Sequence, residues 1–286
     1  MLLETIDLHA HTTASDGSLT PAELVDLACQ IGLKAMAITD HDTVAGVAEA
    51  LSRGKEVGVE VVPGIEISAE FKTGTMHMLG YFIDPAHPAL VSSLTKLQEA
   101  RRNRNPKIVA KLNELGVDIT MEEIEAVAGG EQIGRPHFAK VLESKGYVSS
   151  FNEAFDRYLA KGASAYMDKF RFTPAKAMDM ILKAGGLPVL AHPFTLGFNE
   201  PEELEALISR MVDNGLAGLE VYYSEHTSEM NEKYLALAEK YDLCPTGGSD
   251  FHGNNKFKIE LGRGMGNLAV PYAWLSCLRQ RLNKGT

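Results

Sequence analysis

The alternation of short apolar segments with helical segments constrains the fold of this 286-residue chain more than any other feature. At the start of the chain the order is strand, helix, strand, helix, strand, and the predicted ranges are Glu4–Leu8, Pro21–Ile31, Lys34–Thr39, Val44–Lys55 and Val59–Val62. The first helix has the residues of a capping box, with Thr20 as the N-cap, Pro21 at the first position and Glu23 three residues after the cap. Such alternation is typical of parallel strands covered by helices.

A change of rhythm divides the chain into two parts. A further strand is predicted at Met76–Ile83, after which helical segments dominate residues 88–168. Strands then alternate with helices again, up to a closing helix at Ala273–Leu282. We therefore expect an α/β barrel formed by residues 1–87 and 169–286, with residues 88–168 as a helical insertion that caps the substrate. A doubly wound sheet is the alternative fold.

Histidines and carboxylates cluster where the predicted strands end. His9 and His11 follow the first strand at positions i and i+2, so their imidazoles point to the same side, as a shared metal ion requires. Taken alone, this pair fits two polar loop residues equally well. Other acids and histidines beside strand ends or Gly/Pro turns favour a metal site, and the complete candidate set is His9, His11, Asp16, His41, Glu66, His77, His192, Asp250 and His252.

The number and type of these candidate ligands indicate several metal ions. Nine side chains exceed the demand of one ion, and at three or four protein ligands per ion they suit two or three ions. Imidazole and carboxylate ligands suit Mn²⁺, Zn²⁺ or Fe²⁺. The strands that these residues follow are spread along the whole chain, and a closed ring can bring their ends to one mouth, which favours the barrel.

Arginines in the inserted region form a second set of candidate residues. Arg101 and Arg104 share one face of a predicted helix, and Arg135 precedes a helix start, where free N–H groups favour anions. Guanidinium groups bind phosphate through two hydrogen bonds, so these residues are candidate phosphate contacts, with a solvated cationic face as the alternative. His137 is a candidate substrate contact or a structural contact at that helix start. Asp40 is either a partner of a ligand imidazole or a turn residue.

Composition excludes several classes of function. There are 28 Lys and Arg residues against 38 Asp and Glu residues, and the resulting charge of −10 argues against broad coating of duplex nucleic acid. The chain shows no signal peptide and no apolar run long enough to span a membrane, so we expect a cytoplasmic protein without membrane contact. Cys29, Cys244 and Cys277 form no recognised spacing, and their small odd number suits a reducing compartment, so we expect three unpaired residues that are buried or half-buried. His226 is expected to be exposed to solvent, with a place at the rim of the pocket as the alternative.

The chain resembles the PHP family, which is named for polymerases and histidinol phosphatase. Six segments carry the resemblance, in order between positions 6 and 253: IDLHAHTTASDGSLTP, AITDHDT, VPGIEIS, MHMLGYFID, VLAHP and GGSDFHG. Within the family, the chain is similar to single-chain nucleotide phosphatases and 5′–3′ exonucleases. That similarity lies in RRNR at 101–104, IGRPHFAK at 133–140, YLAKGASAY at 158–166 and LGRG at 261–264.

The resemblance implies a distorted seven-stranded barrel with a site for three metal ions, commonly manganese. The ligand sets that it implies are His9, His11, Glu66 and Asp250 for the first ion, Glu66, His77 and His192 for the second, and Asp16, His41 and His252 for the third. It also implies contacts of Arg101, Arg104 and Arg135 with phosphate or nucleotide. Bisphosphate phosphatases of the family commonly carry an Arg soon after the AHP motif, but this chain has none just after His192-Pro193, so the way a 3′-phosphate is held is open.

Together these features predict a metal-dependent phosphoesterase. Its substrate is expected to be a small nucleotide or the 5′ end of a short single-stranded RNA or DNA, and its oligomeric state is unknown. Adjacent divalent ions lower the pKa of a shared water, and the hydroxide that forms attacks phosphorus in line. The alternatives are a histidinol-phosphate-type phosphatase, whose pocket needs acids for an ammonium group, and a metal-binding module without catalysis.

Overall fold

An eight-stranded sheet that curls into a barrel forms the centre of this computed structural model, which describes residues 4–128, 132–198, 200–256 and 258–284. The strands are β1 (Thr5–Asp7), β2 (Ala35–Ile38), β3 (Glu60–Ala69), β4 (Met76–Tyr81), β5 (Leu187–Leu190), β6 (Gly218–Tyr223), β7 (Cys244–Gly248) and β8 (Val270–Pro271). Their order in the sheet is β7-β6-β5-β4-β3-β2-β1-β8. The barrel closes because Leu8 N donates to Gly247 O at 3.1 Å and Ala10 bridges to Phe251. The predicted distorted barrel is confirmed.

Two strands, β4 and the two-residue β8, run antiparallel to their neighbours, and the direction of β4 determines where its first residues lie. β4 pairs antiparallel with β3 on one side and with β5 on the other, whereas β1, β2 and β3 pair in parallel, as do β5, β6 and β7. The start of β4, with His77, therefore lies at the same end of the barrel as the carboxyl ends of the parallel strands. The strand pattern of the sequence contains no sign of this reversal.

Helices cover the barrel and build the region between β4 and β5. They are α1 (Pro21–Gln30), α2 (Val47–Val57), α3 (Pro88–Glu114), α4 (Met121–Ala128), α5 (Arg135–Ser144), α6 (Phe151–Ala154), α7 (Pro174–Lys183), α8 (Pro201–Val212), α9 (Ser228–Lys240) and α10 (Ala273–Lys284). The capping box predicted for α1 is confirmed, since Thr20 Oγ1 accepts from Glu23 N at 3.3 Å and Glu23 Oε2 accepts from Thr20 N at 2.9 Å.

The helices α3 to α6 share a hydrophobic cluster that is separate from those of the barrel. It includes Ile108, Leu112, Phe138 and Leu142, all of them fully buried. The opposite side of α3 carries Arg101 and other polar residues toward the mouth of the barrel. The division of the chain into a barrel and a helical insertion at residues 88–168 stays a prediction.

A disulfide corrects one expectation from the sequence. Cys244 at the start of β7 and Cys277 on α10 are bonded, with their Cα atoms 5.8 Å apart, so the prediction that they are unpaired was wrong. The two residues are 33 positions apart and meet only because α10 packs against β7. Cys29 is unpaired, as expected, but it is exposed, so its expected burial was wrong. The expectation of a reducing compartment therefore loses the support that it drew from the cysteines.

No helix within the described residues is both long enough and apolar enough to cross a bilayer.

Replacing Phe138 by Ala tests the hydrophobic cluster of α3 to α6. Because the ring is fully buried, we expect the free energy of unfolding to fall by about 3–5 kcal/mol. Urea denaturation followed by circular dichroism measures this change. Val127→Ala on α4 is the control, since Val127 is 38% exposed. A loss for Phe138→Ala no larger than that of the control would contradict the assignment of this cluster as a core.

Candidate metal centre

The end of β1 brings two imidazoles against two carboxylates. Both His9 Nε2 and His11 Nε2 face Glu66 Oε2, at 3.4 and 3.3 Å, and both face Asp250 Oδ1, at 3.4 and 3.1 Å. Glu66 lies in β3 and Asp250 follows β7, so three parts of the barrel contribute to this group. The four side chains form one of the clusters able to hold a metal ion, and they are the set expected for a first ion.

A second group surrounds the other oxygen of Glu66. His77 Nδ1 lies 2.7 Å from Glu66 Oε1, His192 Nε2 lies 3.1 Å from it, and the two nitrogens are 3.3 Å apart. This is the arrangement expected for a second ion. His41 Nδ1 also approaches Glu66, at 2.8 Å from Oε2, and forms a possible metal cluster with Glu66 and His77.

A third group lies around Asp16. Its oxygens are 3.4 Å from His252 Nε2, 3.9 Å from His41 Nε2 and 3.8 Å from His11 Nδ1. These four residues form a further cluster able to hold a metal ion. The set expected for a third ion is therefore brought together, with His11 close to it as well.

The nitrogen and oxygen atoms at the centre of these groups are better placed to bind divalent cations than to form hydrogen bonds with one another. Among the described residues, His9 Nε2, His11 Nε2, His41 Nδ1 and Glu66 Oε2 are buried and have no hydrogen-bond partner of acceptable geometry. Buried polar atoms without partners are costly, and a metal ion satisfies several of them at once. The residues thus fit the metal ions of such a site, while the role of each one as a ligand stays a prediction.

Opposite charges balance each other inside the cluster. Burial raises the pKa of Glu66, but histidines such as His41 and His77 outweigh it and hold that pKa well below its usual range. Burial opposes protonation of His11, but Asp250 and Glu66 outweigh it and raise its pKa to about 10. Burial lowers the pKa of His77 to about 4, which leaves this imidazole neutral at pH 7. A bound divalent ion would replace such protons as the counter-charge.

Glu220 is a buried acid behind the cluster that was missed in the sequence. It lies in β6, where its Oε1 is 2.9 Å from His9 Nδ1 and its Oε2 accepts from His192 N at 2.7 Å. The contact directs the Nε2 atom of His9 toward Glu66 and Asp250. The second contact holds the backbone of His192, whose φ of +24° is rare for residues other than glycine. An acid between Leu219 and Val221 in an apolar strand was the available signal.

Asp40 is hydrogen-bonded to the loop that follows β1. Its carboxylate accepts from Thr12 N at 2.8 Å, from Thr12 Oγ1 at 2.7 Å and from Ser15 Oγ at 2.6 Å. These bonds fix the turn between His11 and Asp16, because Thr12 directly follows His11 and Ser15 directly precedes Asp16. The bonds fit a turn residue, but Ser15 Oγ also lies 3.5 Å from His11 Nδ1, so the choice between the two roles of Asp40 stays a prediction.

Tyr223 and Lys256 orient Asp250 in a similar way. Tyr223 Oη and Lys256 Nζ each donate to Asp250 Oδ2 at 2.7 Å. The other oxygen, Oδ1, is left facing His9 and His11. Neither Tyr223 nor Lys256 was singled out in the sequence, because only the fold brings them to Asp250.

A cavity of about 630 Å³ joins the metal cluster to the arginines of the inserted region. Asp16, His41 and His77 line it, and the cations that line it are Lys72, Arg101, Arg104, Arg135, Lys161, Lys169 and Arg171. This cavity is called the cleft below. The three arginines expected to contact phosphate therefore share one cavity with three of the expected metal ligands.

The arginines of the cleft differ in how their charge is balanced. Arg101 Nη2 donates to Asp42 Oδ2 at 2.7 Å. Within the described part of the chain, the guanidinium of Arg104 donates only to Asn105 Oδ1, and burial together with the charges of Arg101 and Arg135 lowers its pKa. Arg135 donates to a backbone carbonyl, at 2.9 Å from Leu159 O. Arg104 and Arg135 are thus cations without a carboxylate partner among these residues.

Two histidines outside the metal cluster are buried. His137 is fully buried, and its Nδ1 accepts from Gly134 N at 3.0 Å, which is a structural contact at the start of α5. It is not among the residues that line the cleft, and a contact with substrate stays a prediction. His226 is 3% exposed and donates to Val221 O at 2.8 Å, so its expected exposure was wrong. Packing of Tyr234 over the ring explains its burial.

Replacing Glu220 by Gln tests its contact with His9. We expect metal affinity to fall about 10- to 100-fold, as is usual when the partner of a ligand histidine is changed. Titration of the metal-free protein with Mn²⁺, followed by calorimetry, measures the affinity. Glu239→Gln on α9 is the control, since Glu239 is exposed. Equal affinities of the Glu220 variant and the control would contradict this role.

Comparison with known proteins gives a consistent picture. A 5′-3′ exoribonuclease of Haemophilus influenzae is 36% identical over 260 residues, which cover 91% of this chain and 93% of that protein. A 3′,5′-nucleoside bisphosphate phosphatase of Chromobacterium violaceum is 33% identical over 258 residues, which cover 90% of each.

A solved structure shares both the sequence similarity and the fold. It is an amidohydrolase from Chromobacterium violaceum with bound sulfate and no metal, 31% identical, with a TM-score of 0.86 over 96% of this chain and 95% of that one. The sequence model of the PHP domain matches residues 7–244. The resemblance seen in the sequence is therefore confirmed, and the chain belongs to the PHP domain family.

Proposed function

We propose that this protein hydrolyses phosphate esters of nucleotides, as a 3′,5′-nucleoside bisphosphate phosphatase, a 5′–3′ exonuclease of short oligonucleotides, or both. The observation that carries the proposal is that one cleft is lined both by residues of the metal cluster and by cations that have no carboxylate partner in the described part of the chain. A substrate with two phosphate groups satisfies both sides at once. The functions given for the relatives support this choice.

The two sides of the cleft are close enough for one nucleotide. A Cβ atom placed on Gly134 would lie 3.3 Å from Arg101 Nη1 and 3.8 Å from Asp16 Oδ2, so a guanidinium and an expected metal ligand are near neighbours. One phosphate can lie against the arginines while the other lies at the metal cluster. Such an arrangement would explain why Arg104 and Arg135 have no carboxylate partner among the described residues, because the substrate would supply the anion.

The two proposed activities break the same kind of bond. Removing the 3′-phosphate of a nucleoside bisphosphate breaks the bond between phosphorus and the 3′ oxygen. Releasing a 5′-phosphorylated nucleotide from an RNA end breaks that bond too, with the rest of the chain attached to phosphorus. In both cases the 5′-phosphate of the departing nucleotide would lie against Arg101, Arg104 and Arg135.

The residues of the cleft have separate tasks in this reaction. The nine candidate ligands would hold two or three divalent ions, for which we propose Mn²⁺, with Zn²⁺ and Fe²⁺ as alternatives. Such ions neutralise phosphoryl oxygens and lower the pKa of water. The arginines bind and orient the substrate and stabilise the charge that builds on it. Phe155 and Tyr166, whose ring centroids are 5.9 and 5.6 Å from the Arg135 guanidinium, hold that side chain in place.

The size and charge of the cleft favour small or single-stranded substrates. Its volume of about 630 Å³, between the barrel mouth and the helices of the inserted region, suits a mononucleotide or an unpaired end. A histidinol-phosphate-type substrate would bring its ammonium group against Arg104 and Arg135, and this disfavours that alternative. We propose a cytoplasmic enzyme that binds neither duplex nucleic acid nor membranes.

A substrate panel tests the proposed function. The Mn²⁺-loaded protein is assayed with adenosine 3′,5′-bisphosphate, a short 5′-phosphorylated RNA and histidinol phosphate. We expect hydrolysis of one or both nucleotides, loss of that activity with EDTA, and its return when Mn²⁺ is added. Turnover of histidinol phosphate alone would contradict the nucleotide assignment, and turnover of none would favour the metal-binding module.

Replacing Arg104 by Ala tests the phosphate contact. Losing a hydrogen bond to a charged group costs about 1.5–3 kcal/mol, so kcat/KM should fall about tenfold or more. Steady-state kinetics measure this, and metal content should stay the same. Arg102→Ala is the matched control, because Arg102 is the exposed neighbour on α3 and does not line the cleft. An effect no larger than that of Arg102→Ala would show that Arg104 does not bind the substrate.

A further inference from the structure

An extended segment at residues 167–172 leads from the inserted region back to the barrel and presents a lysine to the cleft. Lys169 and Arg171 line the cleft, while Phe170 between them is 53% exposed, as alternation along an extended chain requires. The segment is fixed next to β3, because Glu70 N donates to Phe172 O at 2.7 Å. Lys169 was not among the residues singled out in the sequence.

A single carboxylate, that of Asp42, connects Lys169 to the loop that carries His41. The side chain of Lys169 is 4% exposed, and its Nζ donates to Asp42 Oδ2 at 2.8 Å. Ser68 Oγ donates to the same oxygen at 3.2 Å, and Ser68 pairs with His77 across β3 and β4. Asp42 itself follows His41 in the chain. Lys169 lines the same cleft as His41 and His77, two of the expected metal ligands.

Lys169 keeps N–H groups available for a substrate. A lysine ammonium has three donors, and the bond to Asp42 is the only one that Nζ makes within the described residues. The charged groups that face it are Asp42 from the loop after β2, and Arg101 and Arg104 from α3. Arg101 also donates to Asp42 Oδ2, so that carboxylate is shared between two cations.

Lys169 differs from the arginines around it in how readily it releases a proton. Burial lowers the pKa of Lys169 to about 7, against the attraction of Asp42, and the charges of Arg101 and Arg104 add to the lowering. A guanidinium holds its proton far more firmly than an ammonium does. An acid whose pKa lies near the working pH is the most effective proton donor.

We propose that Lys169 is the general acid that protonates the leaving oxygen in the phosphoester hydrolysis described above, and this inference rests on that proposed function. Water attacks phosphorus, loses one proton to solvent and leaves its oxygen bonded to phosphorus. The bond from phosphorus to the 3′ oxygen breaks, and its electron pair stays on that oxygen. The oxygen takes a proton from Lys169 Nζ to become a hydroxyl, and the neutral amine then regains a proton from solvent.

The test compares two variants on two esters of the same nucleotide. Lys169→Ala removes both the charge and the proton, whereas Lys169→Arg keeps the charge and the pairing with Asp42 but does not release a proton near pH 7. The esters are adenosine 3′,5′-bisphosphate and its analogue with sulfur as the bridging 3′ atom. A thiolate leaves without protonation, because a thiol has a pKa of about 8.5. Metal content and thermal stability are measured for each variant.

We expect both variants to lose about 10²-fold or more in kcat on the oxygen ester and to change little on the sulfur ester. In the wild type, kcat on the oxygen ester should fall at high pH as the amine loses its proton, and Lys169→Arg should lack this fall. Full activity of Lys169→Arg on the oxygen ester would overturn the proposal, since charge alone would then suffice. Equal losses on both esters would also overturn it.

Failure of the proposed function looks different from these outcomes. If the wild type hydrolyses neither adenosine ester but does hydrolyse another phosphate ester, the nucleotide assignment is wrong. The same pair of variants, with an oxygen and a sulfur version of that other ester, then decides the role of Lys169 by the same criteria.

Discussion

The buried carboxylate of Glu66 is the interaction on which the rest of the site depends. It is 1% exposed, and each of its oxygens faces imidazole nitrogens. Oε2 lies within 3.4 Å of three of them and Oε1 within 3.1 Å of two, from His9, His11, His41, His77 and His192. An ionised group removed from water needs opposite charge and fixed partners. The barrel satisfies this need because four strands place histidines around this one side chain of β3. Three of these strands, β1, β2 and β5, end there, and the fourth, β4, begins there.

The direction of the strands makes that arrangement possible. A parallel barrel would place the first residue of every strand at the end away from the site. Because β4 runs antiparallel, His77 near its start reaches Glu66, and the contact of β1 with β7 brings His9 beside Asp250. Glu220 and Tyr223 on β6 then fix the orientation of His9 and Asp250, two expected ligands that follow other strands. The same arrangement of strand ends therefore closes the barrel and brings the residues of the site together.

Features set by local chemistry could be predicted from the sequence. The capping box of α1 involves only Thr20 and Glu23, and the histidines and acids are visible at strand ends because these are short segments with clear periodicity. Contacts between distant segments could not be predicted. Glu220 and Lys169 become meaningful only when β6 and the segment at 167–172 lie beside the cluster. The direction of β4 and the pairing of Cys244 with α10 depend in the same way on how the whole chain packs.

The contacts of Asp42 limit how the helical region can be exchanged between related proteins. Its side chain accepts from Arg101 and Lys169, and its carbonyl accepts from Gln98 Nε2 and Gln132 Nε2, both at 3.1 Å. The four donors come from the helical region or its exit, and Asp42 is next to His41. A chimera that receives this region from a relative inherits a working cleft only if the donors at these four positions travel with it. The contacts of Asp42, one residue of the barrel, thus restrict the exchange of the whole helical region. Substitutions of cleft residues that do not contact Asp42 are not subject to this restriction.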